Sequence, residues 1–217
     1  MRSIFLVPAG NGALFEEALS SVAAAVAIDV AAGGGAEAAQ MLEVLRKRGR
    51  RALARIHALT SGLADSDLDA AMAQAPWGIV LPQACGGRDV QHLGAKLAVR
   101  EAENALGDGA TRILASAADL PEAIFALATM ACATRRLIGL AWDASALAGA
   151  LGVGEDAAVL AHARAQIVFA AAAAGAPALL DARGARAEFL LQARRDGFGG
   201  ALIDSAAAAE ACERIFA

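Results

Sequence analysis

Tyrosine is absent from the 217-residue chain, and aromatic residues together make up only 4% of it. A core anchored on large rings is therefore excluded. The 58% of hydrophobic residues must pack mainly as small aliphatic side chains, with alanine alone above a quarter of the sequence. Charge is scarce too, at 19%, and the net charge is −4. A chain this apolar and this weakly charged is not intrinsically disordered. Only two of the 19 basic residues are lysine, Lys47 and Lys96, which with the alanine excess reads as genomic base bias rather than a functional signal. The one sustained basic run is RKRGRR, Arg46–Arg51. It falls where a helix would end, and a helix C-terminus favours cations. Nucleic acid is accordingly not an expected partner.

Cysteine is sparse and odd in number: Cys85, Cys132 and Cys212 lie far apart, with no CxxC and no Cys/His cluster. That pattern argues against a disulfide scaffold or a zinc site and for a reducing cytoplasm. The opening MRSIFLVPAGNG carries one charge and a six-residue apolar run, too short for a secretory signal. The longest low-charge stretch, Ala165–Leu180, is interrupted by Gly175 and Pro177 and is shorter than a membrane span needs. The sequence thus predicts a soluble, cytoplasmic protein with no membrane partner. Its length suits one domain over residues 1–217.

What the chain does contain is an alternation. Short apolar runs of strand type occur at Ser3–Val7, Ala25–Val30, Ala52–His57, Gly78–Leu81, Arg112–Ala115, Leu137–Ala141, Ala178–Leu180 and Ala201–Ile203. Helical stretches follow them at Ala13–Ala23, Ala36–Lys47, Asp65–Gln74, Asp89–Ala105, Pro121–Ala133, Glu155–Ala174, Ala185–Arg195 and Ala206–Ile215. Strands alternating with helices predict a parallel α/β protein. Eight such units suit a closed (β/α)8 TIM barrel. An open doubly wound sheet is the competitor, but no GxGxxG follows the first strand. Gly33–Gly35 lacks that spacing and reads as an ordinary loop.

In such barrels the site lies at the C-terminal ends of the strands. Period two puts Arg55 and His57 on one face of the third strand. Both are polar groups in an apolar run and need partners. Asp29, near the top of the neighbouring second strand, is the expected partner of Arg55. Two roles remain open for Arg55: a structural ion pair, or an anion-binding cation. The fourth strand ends in Leu81–Pro82–Gln83–Ala84–Cys85. A Cys85–His57 nucleophile and base is geometrically conceivable on adjacent strands, against a plain reading of both as structural residues. His92 and His162 fall in helical stretches and read as surface or interface residues. Trp77 and Trp142 flank strands and read as packing residues.

The segments RSIFLVPAGNGALFEEAL, AVAIDV, ARIHAL, APWGIVLPQACGGRDV and LIGLAWDASALAGALG occur in this order. Together they resemble the citrate lyase beta-subunit-like branch of the HpcH/HpaI aldolase family. The resemblance implies a TIM barrel of the pyruvate/phosphoenolpyruvate type. It also implies Mg2+-dependent carbon–carbon bond cleavage or formation on 2-keto acids or acyl-CoA, and homo-oligomers, trimers or hexamers. It places the substrate-clamping arginine at Arg55, with Asp29, His57 and Gln83 around the substrate, and a metal ligand at Asp119 in ADLPEA. Elsewhere the family pattern is not kept. Ala31 and Ala32 stand where it has Glu and Asp, and Gln83 and Cys85 where it has Lys and Glu. Ala146 stands at its second metal ligand, with Asp143 three residues away. The alternative reading is therefore a catalytically inactive paralogue acting as a binding or regulatory subunit. The mean hydropathy of +0.49, high for a soluble monomer, fits buried subunit contacts.

Overall fold

A computed structural model describes residues 1–184 and 187–217. Ala185 and Arg186, the first two residues of the predicted seventh helix, lie outside the described residues. The strands are β1 Ser3–Pro8, β2 Ala25–Asp29, β3 Ala52–Arg55, β4 Gly78–Ala84, β5 Arg112–Ala117, β6 Leu137–Trp142, β7 Ala178–Asp181 and β8 Gly200–Ile203. They pair in parallel in sequence order, and β8 closes on β1 with Ile4 opposite Leu202. The expected (β/α)8 barrel is what forms. Its helices are α1 Gly12–Ser20, α2 Val30–Gly33, α3 Gly35–Lys47, α4 Ala64–Met72, α5 Gly87–Glu103, α6 Pro121–Ala126, α7 Ala144–Leu151, α8 Ala158–Ala173, α9 Ala187–Arg195 and α10 Ala206–Ile215.

Strand periodicity divides the core in two. Ile4, Leu6, Ala25, Ala27, Leu53, Val80, Leu114, Ala141, Leu179 and Leu202 fill the barrel interior. The alternate residues, such as Phe5, Val7, Val26 and Ile28, pack under the helices. Packing is close at Gly139, where a Cβ would come within 2.5 Å of Leu179 Cδ1 and 3.0 Å of Leu114 Cδ1 and the leucines would have to shift.

Several boundaries differ from the sequence expectation. β3 ends at Arg55 rather than His57, because the His57 N–H leaves the ladder to donate to Asp67 Oδ2 at 2.7 Å. β2 stops at Asp29, and Val30 opens α2. The predicted helix Pro121–Ala133 is α6 followed by a 3-10 turn at Leu127–Met130. The segment after β6, where the sequence predicts no helix before Glu155, forms α7. Among the described residues no helix is long and apolar enough to cross a membrane.

Candidate functional site at the barrel mouth

The inward parity that buries Ala25 and Ala27 carries Asp29 to the C-terminal mouth, and that of Leu53 carries Arg55 there. The two residues are register partners across β2 and β3. Arg55 donates from one terminal nitrogen to Asp29 Oδ2 at 2.6 Å. The Asp29 side chain is 8% exposed and that of Arg55 27%. Asp29 therefore holds one terminal nitrogen of the guanidinium. Asp29 Oδ1 is buried and has no hydrogen-bond partner among the described residues.

On the far side of the mouth the same parity, from Leu114 and Leu179, brings in Ser116 and Asp181. Asp119 follows β5 and is buried. The Ser116 hydroxyl donates to its Oδ1 at 3.0 Å and the Gln83 N–H to its Oδ2 at 3.1 Å. Burial pushes the Asp119 carboxyl above the ordinary aspartate range. The bonds from Ser116 and Gln83 resist that shift, and the charge of Asp143 adds to it. Two residues that shape this contact, Gln83 (φ +52°) and Ala118 (φ +73°), sit in the left-handed region. Non-glycine residues held there cost about 1–3 kcal/mol each and cluster at functional sites.

Asp143 caps α7, accepting the Ala146 N–H at 2.9 Å on Oδ1. The three-residue offset from the expected ligand position is thus one helical turn, and the carboxylate lies beside the amide of Ala146. Its Oδ2 is 3.6 Å from a terminal nitrogen of Arg183. Arg183 in turn forks onto Asp181, with Nε to Oδ1 at 2.8 Å and a terminal nitrogen to Oδ2 at 2.7 Å.

Of the residues singled out from sequence, Asp29 and Arg55 meet directly, and Asp119 joins the backbone of Gln83. The Gln83 side chain itself is exposed. His57 turns aside, its Nδ1 2.7 Å from Asp67 Oδ2 on α4. Cys85 does not pair with it. Its Sγ donates to the Gln83 carbonyl at 3.6 Å, and burial, with Glu122, Asp89 and Asp119 nearby, pushes the thiol up, away from a reactive thiolate. Asp181, Arg183 and Ser116 were not singled out, although the parity of their strands marks Asp181 and Ser116. Trp142 packs outward on Phe198, with ring centroids 6.2 Å apart.

Asp119 and Asp143 are the side chains that would face a magnesium ion here. The donor set does not fit one well. Both Asp119 oxygens already accept hydrogen bonds, and its carboxyl is held toward the protonated form. Asp143 is shared between the start of α7 and Arg183. Among the described residues no group of three or more His, Cys, Asp and Glu side chains is placed to hold a metal.

A closed eight-stranded barrel with a carboxylate-and-arginine cluster at its C-terminal mouth defines the class of protein. The solved structures it resembles then make the comparison particular. It matches RipC from Yersinia pestis with a TM-score of 0.79 at 22% identity, covering 100% of this chain and 95% of that one. It matches a citrate lyase from Burkholderia xenovorans LB400 with a TM-score of 0.84 at 17% identity, covering 100% of this chain and 77% of that one. It matches a citrate lyase beta subunit from M. tuberculosis, complexed with oxaloacetate and magnesium, with a TM-score of 0.72 at 23% identity, covering 99% and 96%. No family model matches the chain, and no curated protein matches its sequence. The structural neighbours thus include citrate lyase proteins, the group whose motifs the sequence resembles, beside RipC and a Haloferax volcanii malate synthase, and what is shared with them is the fold.

Proposed function

We propose that this protein is a citrate lyase beta-like member of the HpcH/HpaI aldolase family. On this reading it binds a small carboxylic acid, free or as an acyl-CoA, at the barrel mouth, with metal-dependent cleavage given up. The observation that carries the reading is the Asp29–Arg55 pair. A guanidinium held at one terminal nitrogen keeps its remaining N–H groups for a carboxylate. That the M. tuberculosis neighbour is complexed with oxaloacetate supports a small carboxylate as the ligand class. Magnesium, bound in that neighbour, would stabilise an enolate in carbon–carbon cleavage. In this chain Arg55 orients the carboxylate and Asp29 fixes Arg55, while burial holds the Asp119 carboxyl above the ordinary aspartate range.

The test is calorimetric titration with oxaloacetate, pyruvate and acetyl-CoA, for the native protein and Arg55→Met. Binding by the native protein that Arg55→Met loses is the expected result, and equal binding by both would defeat the reading. A second reading, an active carbon–carbon lyase, is favoured by one observation. Two carboxyl groups, Asp119 and Asp143, are close enough for one to shift the other, an arrangement suited to proton transfer. Turnover of citryl-, malyl- or citramalyl-CoA would decide for it. The expected homo-oligomer, in a cytoplasmic setting, is supported by Phe125 and Phe169, 89% and 73% exposed on α6 and α8. A double Phe125→Asp/Phe169→Asp variant that sediments as a monomer while the native protein does not is the expected outcome.

A further inference from the structure

The acidic side chains at the β6 and β7 ends have a counter-charge of their own. Asp143 and Asp181 sit on adjacent strand ends, and Arg183 lies between them. The guanidinium is not a loosely placed surface group. Its Nε and one terminal nitrogen close a two-point fork on Asp181, and that same terminal nitrogen is 3.6 Å from Asp143. The Arg183 backbone N–H also reaches Asp181 Oδ1, at 3.3 Å, so the turn out of β7 and the fork lock each other. The side chain is 37% exposed while Asp181 is 12% exposed, which places the charge at the solvent edge of the mouth and its anchor beneath it. Pairing with Asp181 raises the guanidinium's affinity for its proton against the cost of burial, with Asp143 and Asp29 adding to the effect. The charge is therefore permanent at any working pH.

We infer that Arg183 is the resident cation of the barrel mouth, set against Asp143, the carboxylate a divalent ion would need, so that the β6–β7 side is partly charge-compensated without metal. A fixed guanidinium differs from a magnesium ion in two ways that matter. It offers N–H donors to an incoming carboxylate but no open coordination position, and it cannot leave with the product. It also competes directly for Asp143, whose Oδ1 already accepts the Ala146 N–H at the start of α7. Arg55 on the β3 side and Arg183 on the β7 side are each paired with an aspartate. This inference rests on the proposed reading only in taking the mouth as the ligand site.

The probe is Mn2+ alone, followed by electron paramagnetic resonance of the free ion and by calorimetry, with circular dichroism to show that each variant is folded. The native protein is expected to leave Mn2+ free. Arg183→Gln, which removes the charge and keeps a polar side chain, is expected to bind Mn2+ at least about tenfold more tightly than the native protein. Arg183→Lys, which keeps the charge, is expected to behave as native. Adding Asp143→Asn to Arg183→Gln is expected to abolish the gain, tying the metal to that carboxylate. Tight Mn2+ binding by the native protein would overturn the inference. So would an Arg183→Gln protein that binds no better than native, or an Arg183→Lys protein that binds as Arg183→Gln does. Because the readout is metal alone, failure of oxaloacetate to bind would sink the ligand reading and leave this one standing.

Discussion

At the scale of single residues, the mouth is a set of buried polar groups whose partners decide their cost. Removing Arg55 would strand Asp29, which already has one oxygen unpaired. Arg55→Ala is expected to lower stability by about 1–3 kcal/mol, the cost of an unsatisfied buried acceptor, read as a lower urea midpoint. An unchanged midpoint would mean the pair does not hold β2 to β3. Asp119 behaves in the opposite sense. Its folded-state affinity for a proton is raised, first by burial and then by Asp143, so its ionisation destabilises the fold as pH rises above the ordinary value of 3.8. Asp119→Asn is therefore expected to gain stability relative to native between about pH 4 and pH 7, in denaturation series at both. A relative loss over that interval would contradict the burial argument. Asp29 and Arg55 were legible in the sequence because neighbouring strands with period two leave little choice of partner. Arg183 was not, because its fork onto Asp181 depends on how the chain turns after β7.

At the scale of elements, small geometric demands explain features that looked like motifs. The Gly33–Gly35 run holds no phosphate-loop spacing, yet its first glycine is required. A Cβ on Gly33 would lie 1.8 Å from the Ala9 carbonyl oxygen, where α2 meets the end of β1. Gly33→Ala is expected to cost about 1–3 kcal/mol from overpacking against backbone, seen as a lower melting temperature with little change in circular dichroism. The basic run is equally structural. Arg46 and Lys47 close the last turn of α3, Arg50 donates to the carbonyls of Ser21 and Ala23, and Arg51 lies over Trp77 at 4.5 Å. The helix after β6 shows the limit of pattern reading. Asp143 caps α7, but a short alanine-rich stretch beside a strand carries no period that separates helix from strand end.

At the scale of the whole molecule, the end of the barrel opposite the mouth is tied by one buried ion pair. Glu101 on α5 and Arg136, just before β6, meet through two bonds of 2.6 and 2.8 Å, and the Gly109 and Thr111 N–H groups also donate to Glu101. Burial opposes the charge on Glu101, but the bonds from Arg136, Thr111 and Gly109 outweigh it and hold the carboxyl at about 2. A folded value below the ordinary 4.5 means this stabilisation is complete above that pH and is lost as pH falls toward 2. Arg136→Ala is expected to cost about 3–5 kcal/mol at neutral pH, because a buried carboxylate would be left unpaired. Its penalty should shrink in acid, measured as the difference in denaturation free energy from native at each pH. A penalty independent of pH would show that Arg136 acts by packing alone.

The sequence by itself determined the wound, alternating architecture and the depth of each inward-facing residue, because strand parity and helix period are local properties repeated along the chain. It therefore also determined that Asp29 and Arg55 would share the mouth. Only the tertiary structure decided which acids there are already satisfied. Whether Asp119 keeps a proton, whether Asp143 answers to a helix end or to an arginine, and whether His57 faces a ligand or Asp67 are set by groups brought together from distant parts of the chain. Burial and distance between such groups have no period to read, and they settle the charge balance of the site.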